Sequence, residues 1–441
     1  MEIELRYGEV RRVKIDVPRE NLYFAIDRGT IPAVNDLELR MREKLRRPIG
    51  TQPVSEIVKA EDRVLIIVDD LTRPTPQEKL LPILLDELNA LGIPDRRIEV
   101  LIALGSHRPM TSQEIEGRFG REVVQRVEVS NHEYDRPEKL VDIGRTSSGI
   151  PVSINRKALD VGSLIGVGNI APHILAGWGG GGKIIQPGIC GEETTTAVHV
   201  EGHLMNPIEN LVGKMDQKVR RDIDAIALKA GLKMILNTVL NQDDQVGELF
   251  IGHLVQAHRE GVRFAEELYS PSIPGYADIV VVSSYPADID YWQAIKPLSY
   301  ACKAVRKGGT IVFITPCPEG ISPAHPIMKE RATVAFEENL KLVKEGKTED
   351  KLAVSTLITH EEVKNRASII CYSEGLSRSD KEALGFQEAS SPQEALTMAL
   401  EKHSRNAKIG VLKSGEILPR IRRSLDNASK KISVKRRVSR A

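Results

Sequence analysis

Four consecutive glycines, Gly179, Gly180, Gly181 and Gly182, run directly into Lys183, and Gln186, Pro187 and Gly188 follow closely. Glycine accepts positive φ and lets backbone approach a ligand. Successive free N–H groups in such a loop form an anion-binding nest. Lys183 then stands at the edge of the nest, with His173 ten residues upstream and His199 sixteen downstream. A glycine loop, an amine and flanking imidazoles suit a phosphate-bearing cofactor. Residues 177–183 also match G-x-x-x-x-G-K, but Ile184 stands where a P-loop needs Ser or Thr for magnesium. Pro172 before the loop and Pro187-Gly188 after it break the strand–loop–helix context of that motif. A tight turn with an ordinary surface lysine is the plain alternative, and a cofactor loop accounts for more of the residues.

Histidine titrates near neutral pH and can act as base, acid or metal ligand. Of the ten in the chain, His107 and His173 stand out because each ends an expected strand in a glycine- or proline-bearing loop. His199-Val200-Glu201-Gly202-His203 shares only its histidine spacing with the zinc motif H-E-x-x-H, since the glutamate is misplaced. A single ligand at His199 stays open on spacing alone. Arg73 follows Asp69-Asp70 at a strand end and suits a carboxylate or phosphate in bidentate contact. A salt bridge to one of those aspartates is the alternative. Trp292, Gln293 and Lys296 put an indole, an amide and an amine within one or two turns of an expected helix, which by itself is compatible with an ordinary wet helix face.

These groups need elements to hold them. Residues 63–70 form a short apolar run ending in acids, as a buried parallel strand does at its carboxyl end. A helix is expected over 77–91, a strand over 97–104, and a loop carrying His107-Arg108 after it. This βαβ rhythm predicts ligand groups in loops after strand carboxyl ends. Further strands are expected at 161–170 and 233–240, and helices at 36–46, 192–205 and 254–268. Residues 269–276, rich in Pro and Ser, mark the expected domain boundary. The rhythm restarts beyond it, with strands at 279–283, 309–314, 368–372 and 408–412 and a helix at 291–306. The fold class expected is α/β, two α/β domains with mostly parallel sheets and an active-site cleft between them. An N-terminal domain over 1–270 carries most of the groups above, a C-terminal domain over 276–430 closes over the substrate, and a basic tail follows over 431–441.

Sixty-two basic against 61 acidic residues leave a net charge of +1, which gives no general attraction to nucleic acid or to anionic membrane. No apolar run approaches the roughly 20 residues of a transmembrane helix, and the first residues lack a signal peptide's apolar region. Cys190, Cys302, Cys317 and Cys371 show no C-x-x-C spacing, so the expected compartment is a reducing cytoplasm.

Taken together, Asp69 to Pro76, Gly105 to Thr111, Pro172-His173, Gly179 to Cys190 with Lys183, His199, and Gln293 with Lys296 resemble the nickel-pincer lactate racemase family in order and spacing over nearly the full length. The resemblance implies an isomerase, a racemase or epimerase of a 2-hydroxy acid. It implies a pyridinium-3,5-bisthiocarboxylic acid mononucleotide bound covalently to Lys183, with Ni(II) completed by His199 in a square plane, a normal Ni(II) geometry. Gly179 to Gly182, Gln186, Pro187 and Gly188 would then cradle the cofactor. The implied reaction moves hydride from the substrate Cα to the pyridinium and back to the opposite face. His107 and His173 are the implied acid/base pair, each reaching the hydroxyl within about 3 Å. Arg73 and Lys296 are the implied carboxylate clamp, Asp70 orients Arg73 or a histidine, and Gln293 and Trp292 line the pocket. Separate maturation proteins would supply the cofactor. The oligomeric state stays open, a homo-oligomer included.

The chain departs from that pattern near the substrate's side chain. The family places a tryptophan from the second domain against the substrate, but the only tryptophans here are Trp178 and Trp292, and Trp292 stands where a tyrosine is usual. Lactate is therefore the default substrate, with malate, phenyllactate and sugar acids as alternatives. A nucleotide- or phosphate-binding protein without turnover is the rival of another class, and two candidate bases argue against it.

Overall fold

A computed structural model describes residues 1–204 and 210–422. The basic tail expected over 431–441 lies outside the described residues. Two six-stranded sheets organise the chain. The first runs, edge to edge, Val246–Gly252, Leu232–Leu240, Ser163–Asn169, Val64–Asp69, Ile98–Ala103 and Glu128–Asn131. Every neighbour is parallel except the Val246–Gly252 edge strand. The earliest of these strands, Val64–Asp69, lies between Ile98–Ala103 and Ser163–Asn169, so the strand order reverses direction beside it. Ligands in open α/β sheets bind outside the carboxyl ends of strands at such a reversal. The loops that begin at Asp70 and at Ile170 leave the sheet there.

Val64, Leu65, Ile66, Ile67 and Val68 are fully buried, because helices cover both faces of this strand. The helix Gln77–Ala90 packs Leu80, Leu81, Leu84, Leu85 and Leu88 against one face, a spacing of three and four residues that makes one apolar stripe. Burial of each such leucine contributes on the order of 2 kcal/mol. Leu84→Ala would cost about 2–5 kcal/mol by leaving a cavity.

The second sheet runs Gln387–Glu388, Ala367–Tyr372, Val305–Ile314, Ala277–Ser283, Ile409–Leu412 and Leu22–Ile26, all parallel. Its last strand comes from the start of the chain. The hairpin Glu2–Tyr7 and Arg11–Asp16 also packs there, burying Ile3, Leu5, Val13 and Ile15 beside Ile279, Val281 and Val312. The sequence predicts a first domain over residues 1–270, but residues 2–26 pack with the second sheet. The reason is that the alternating apolar face of the hairpin needs an apolar sheet face, and the Ala277–Ser283 and Val305–Ile314 strands supply it. Arg28, almost fully buried, then ties the two bodies, donating to Asp244 at 2.7 Å and to Glu416 at 2.9 Å.

The other expected elements lie within a few residues of their observed bounds, with one exception. The helix expected over 291–306 is Tyr291–Ala301, and the next strand begins at Val305, where Ala277 pairs with it. None of the helices among the described residues is long and apolar enough to cross a membrane.

Candidate active site

The loop after Val64–Asp69 divides its two aspartates between different tasks. Asp69 accepts from Thr75 at 2.5 Å and from Gln77 at 2.8 Å, which anchors the loop to the next helix. Asp70 turns the other way and accepts from Thr72 and from Nδ1 of His107 at 2.6 Å. Arg73 pairs with neither aspartate. Its Nη1 donates to Thr72 Oγ1 at 2.9 Å and to Gln293 Oε1 at 3.2 Å. The cation is therefore held toward the space between the sheets.

Helix Tyr291–Ala301 brings the second body to the same point. Asp290 caps it by accepting from the Gln293 N–H at 2.8 Å. Burial pushes the Asp290 carboxyl up to about 7. Gln293 is buried, its Oε1 accepts from Arg73 and Lys296, and its Nε2 donates to His107 Nε2 at 2.9 Å. The His107 protonation pattern follows from its partners. Nδ1–H donates to the Asp70 carboxylate, so Nε2 carries the lone pair. Burial holds the His107 pKa below its ordinary value although Asp70 pulls it up, and Arg73 and Lys296 add to the lowering. Burial raises the Asp70 carboxyl, but His107, Arg73 and Thr72 outweigh that and hold it ionised.

His173 has the opposite pattern. The N–H groups of Leu175 and Ala176 donate to its Nδ1 at 3.1 and 3.2 Å. Its ring proton therefore sits on Nε2. Burial, with Lys183, Lys296 and Arg73 nearby, pushes the His173 pKa far down. The two histidines are not equivalent: one offers a lone pair and the other an N–H.

His107, His173, Arg73, Lys183, Lys296, His199 and Trp292 all line one cavity of about 70 Å³ between the two bodies. An adjoining cavity of about 70 Å³ holds Asp70, Gly179, Gly180, Pro187 and Gly188 around Lys183. A larger cleft of about 940 Å³ opens between helix Glu192–Leu204 and residues 343–351, but glutamates and lysines are its only charged lining. The titratable cluster is in the small cavities, and the chemistry belongs there. Burial first, then Arg73 and Arg220, push the Lys183 amine far below its ordinary pKa. Burial, Arg73 and Lys183 lower the Lys296 pKa too, but Asp290 and Asp70 pull it up, and a substrate carboxylate beside it would favour the charged form. His199 donates from Nδ1 to the Thr195 carbonyl at 2.9 Å, which leaves Nε2 as a lone pair, and burial pushes its pKa down to about 3.

The glycine loop differs from the expected nest. The Gly179 N–H donates to Ala171 O at 2.7 Å and the Gly181 N–H to Asn237 Oδ1 at 2.8 Å, so these donors are spent within the protein. The glycines are needed for packing. Gly180 has φ +76°, and a Cβ there would meet Asn169 O at 2.9 Å; Gly181 has φ +60°, and a Cβ there would meet Arg220 at 2.6 Å. Arg220 donates to the carbonyls of Trp178 and Gly180, each at 3.1 Å, and His258 Nε2–H donates to Gly179 O at 2.6 Å. Of the glycine-loop residues, Gly179, Gly180, Pro187 and Gly188 line the Lys183 cavities, whereas Gly181, Gly182 and Gln186 are not on their lining. Asn237, Arg220 and His258 escaped the sequence reading because ordinary helix and strand patterns surround them. His203, which the sequence offers only as the second histidine of a zinc-like pair, lines the His199 cavity with Thr356, and its Nδ1 lies 2.9 Å from Thr359 Oγ1.

Known proteins share this fold and family. The family models for the lactate racemase N-terminal domain and C-terminal domain match residues 7–211 and 274–417. A lactate racemase from Thermoanaerobacterium thermosaccharolyticum is 31% identical over 72% of this chain and 75% of its own. One from Lactiplantibacillus plantarum is 33% identical over 64% of this chain and 66% of its own. Among solved structures, the lactate racemase apoprotein from T. thermosaccharolyticum superposes with a TM-score of 0.83 at 26% identity, covering 96% of this chain and all of that one. A protein from Thermotoga maritima shares the fold, with a TM-score of 0.69 at 20% identity over 90% of this chain. The chain belongs to the lactate racemase family of isomerases.

Proposed function

We propose that this protein interconverts the enantiomers of a 2-hydroxy acid between its two sheets, using a nickel-pincer nucleotide tethered to Lys183. One observation carries the reading. The Gln293 carboxamide receives Arg73 and Lys296 on its oxygen and gives its N–H to the His107 lone pair. A 2-hydroxy acid asks for the same three partners: two cations on a carboxylate oxygen and a base on the neighbouring hydroxyl. The relatives named lactate racemase make lactate the simplest substrate to test.

The residues suit the cofactor. His199 has the tautomer a metal ligand needs, with Nδ1–H held by a carbonyl and Nε2 free. Among the described residues no group of three His, Cys, Asp or Glu could hold a metal unaided, so further donors would belong to the cofactor. Burial favours the uncharged amine of Lys183, the form that can be acylated. When bound, such a cofactor supplies an electron-accepting pyridinium carbon that takes the Cα hydrogen with its bonding electrons.

The chain's own groups do the rest. Arg73 and Lys296 hold the carboxylate in a water-poor site, where their attraction is strong. His107 takes the hydroxyl proton at Nε2 while Asp70 keeps the other proton on Nδ1. His173 serves the opposite orientation of the hydroxyl. To act as a base its ring proton must pass from Nε2 to Nδ1, at the expense of the Leu175 and Ala176 contacts.

The test uses protein co-expressed with cofactor maturation enzymes. Intact-mass and metal analysis should show an adduct on the Lys183 peptide and equimolar nickel. Chiral chromatography of single-enantiomer 2-hydroxy acids should reach a racemic end point. Bare Lys183, under conditions that load a known racemase, would sink the pincer reading. A loaded protein that leaves every acid enantiomerically pure would sink the racemase.

A further inference from the structure

Beside the cavity that holds the clamp lies a smaller one of about 20 Å³, lined by His107, Trp292 and Gln293 and by Ser322 and His325 from the loop after strand Val305–Ile314. His107 and Trp292 line both spaces, so the two adjoin at the place where a 2-hydroxy acid's Cα would lie. Two buried polar atoms on residues that line it have no hydrogen-bond partner: Ser322 Oγ and His325 Nε2. Ser322 is 8% exposed and His325 1%. Leaving such atoms unpaired is costly, and each asks for an explanation.

Their hydrogen-bond roles are defined. His325 donates from Nδ1 to Asp350 at 2.6 Å and stacks on Trp292 with ring centroids 4.2 Å apart. In the neutral ring that leaves Nε2 as the acceptor. Ser322 Oγ–H can donate. A donor and an acceptor that do not bond each other match one hydroxyl group, which accepts and donates at once. The volume agrees, since a water-sized group needs about 10–15 Å³. A carboxylate is larger than this space, and the one cation on its lining, Arg108, is already paired with Glu319. An aromatic ring has no room.

We propose that Ser322 and His325 form a subsite for a hydroxyl on C3 of the substrate, so the preferred acid is a 2,3-dihydroxy acid. This rests on the 2-hydroxy acid reading above and specifies its substrate. It also gives a use to Trp292, which holds the His325 ring in place.

The experiment compares single enantiomers of glycerate and lactate on the cofactor-loaded protein, by racemisation rate and by titration calorimetry. Glycerate should exceed lactate about tenfold in kcat/KM and in affinity, the usual reach of one well-placed hydrogen bond of about 1.4 kcal/mol. Ser322→Ala should collapse that ratio. His325→Phe, which keeps a ring on Trp292, should do the same if the variant holds its circular dichroism and Tm. Equal affinity for the two acids in the unaltered protein would mean that the cavity holds only an ordered water, and the subsite would fall. A ratio that survives Ser322→Ala would also overturn it. Absence of turnover with both acids, alongside a tenfold affinity difference that Ser322→Ala erases, would sink the racemase reading and leave the subsite standing.

Discussion

His107 and Gln293 lie 186 residues apart in the chain, yet the Gln293 amide donates to the His107 Nε2 lone pair at 2.9 Å. The same amide's oxygen faces Arg73 and Lys296. One carboxamide thus meets the base, the arginine and the lysine, and it does so from the second body of the protein.

Gln293→Glu keeps the shape and adds a charge. The new carboxylate would sit on Arg73 and Lys296 and compete with the substrate's own. KM for a 2-hydroxy acid should rise about tenfold or more, since losing a charge-assisted contact is worth about 1.5–3 kcal/mol. Steady-state kinetics on the loaded protein checks this, and an unchanged KM would show that the substrate's carboxylate does not use these cations.

The pH profile follows from His107. Its folded pKa is below 6.5, so the base is neutral across the physiological range. The base form is lost only as pH falls through the lowered value. The value of kcat/KM should stay flat from about pH 8 to about 6.5 and fall below that. Asp70→Asn removes the carboxylate that raises the His107 pKa and fixes its Nδ1–H. The acid limb should move still lower, and the rate should drop about 100-fold or more. An acid limb above pH 6.5 in the unaltered protein would contradict a neutral His107.

His199 and Lys183 should separate metal from tether. His199→Ala removes the lone pair offered to nickel but leaves the amine, so the adduct on the Lys183 peptide should persist while nickel falls well below one per chain. Lys183→Arg replaces a free amine with a guanidinium that stays charged, and both adduct and nickel should be lost. Mass spectrometry with metal analysis reads both variants. Nickel kept at full occupancy by His199→Ala would remove His199 as the ligand.

Arg108 joins the bodies at the rim of the site. Its Nε donates to both Glu319 oxygens at 3.0 Å, and the same guanidinium reaches Glu114. The pair is partly exposed, so its worth is about 0.5–1 kcal/mol. Arg108→Ala should raise KM about two- to fivefold with a smaller change in kcat. A larger radius of gyration by small-angle scattering would accompany it. A fall in kcat with KM unchanged would place Arg108 in the reaction instead of in closure.

Much of this was legible from local order. The apolar run that ends at Asp69-Asp70 had to be a buried parallel strand, and its loop had to open where ligands bind. Glycines that lead into Lys183, and His107 and His173 at strand ends, could be singled out because their surroundings are written in neighbouring residues. The purpose of the glycines could not. They give up their Cβ atoms to Asn169 and Arg220, and only packing reveals those neighbours.

The chain alone determined the α/β rhythm, its restart after residue 276, and which side chains could carry the chemistry, because periodicity and turn residues act over a few positions. Tertiary structure decided what those side chains do. It carried strand Leu22–Ile26 to the far sheet, set opposite ring protons on His107 and His173, and left Ser322 and His325 unpaired beside Trp292. Such relations join residues distant in sequence, and they arise only when two apolar faces close on each other and fix which polar atoms meet.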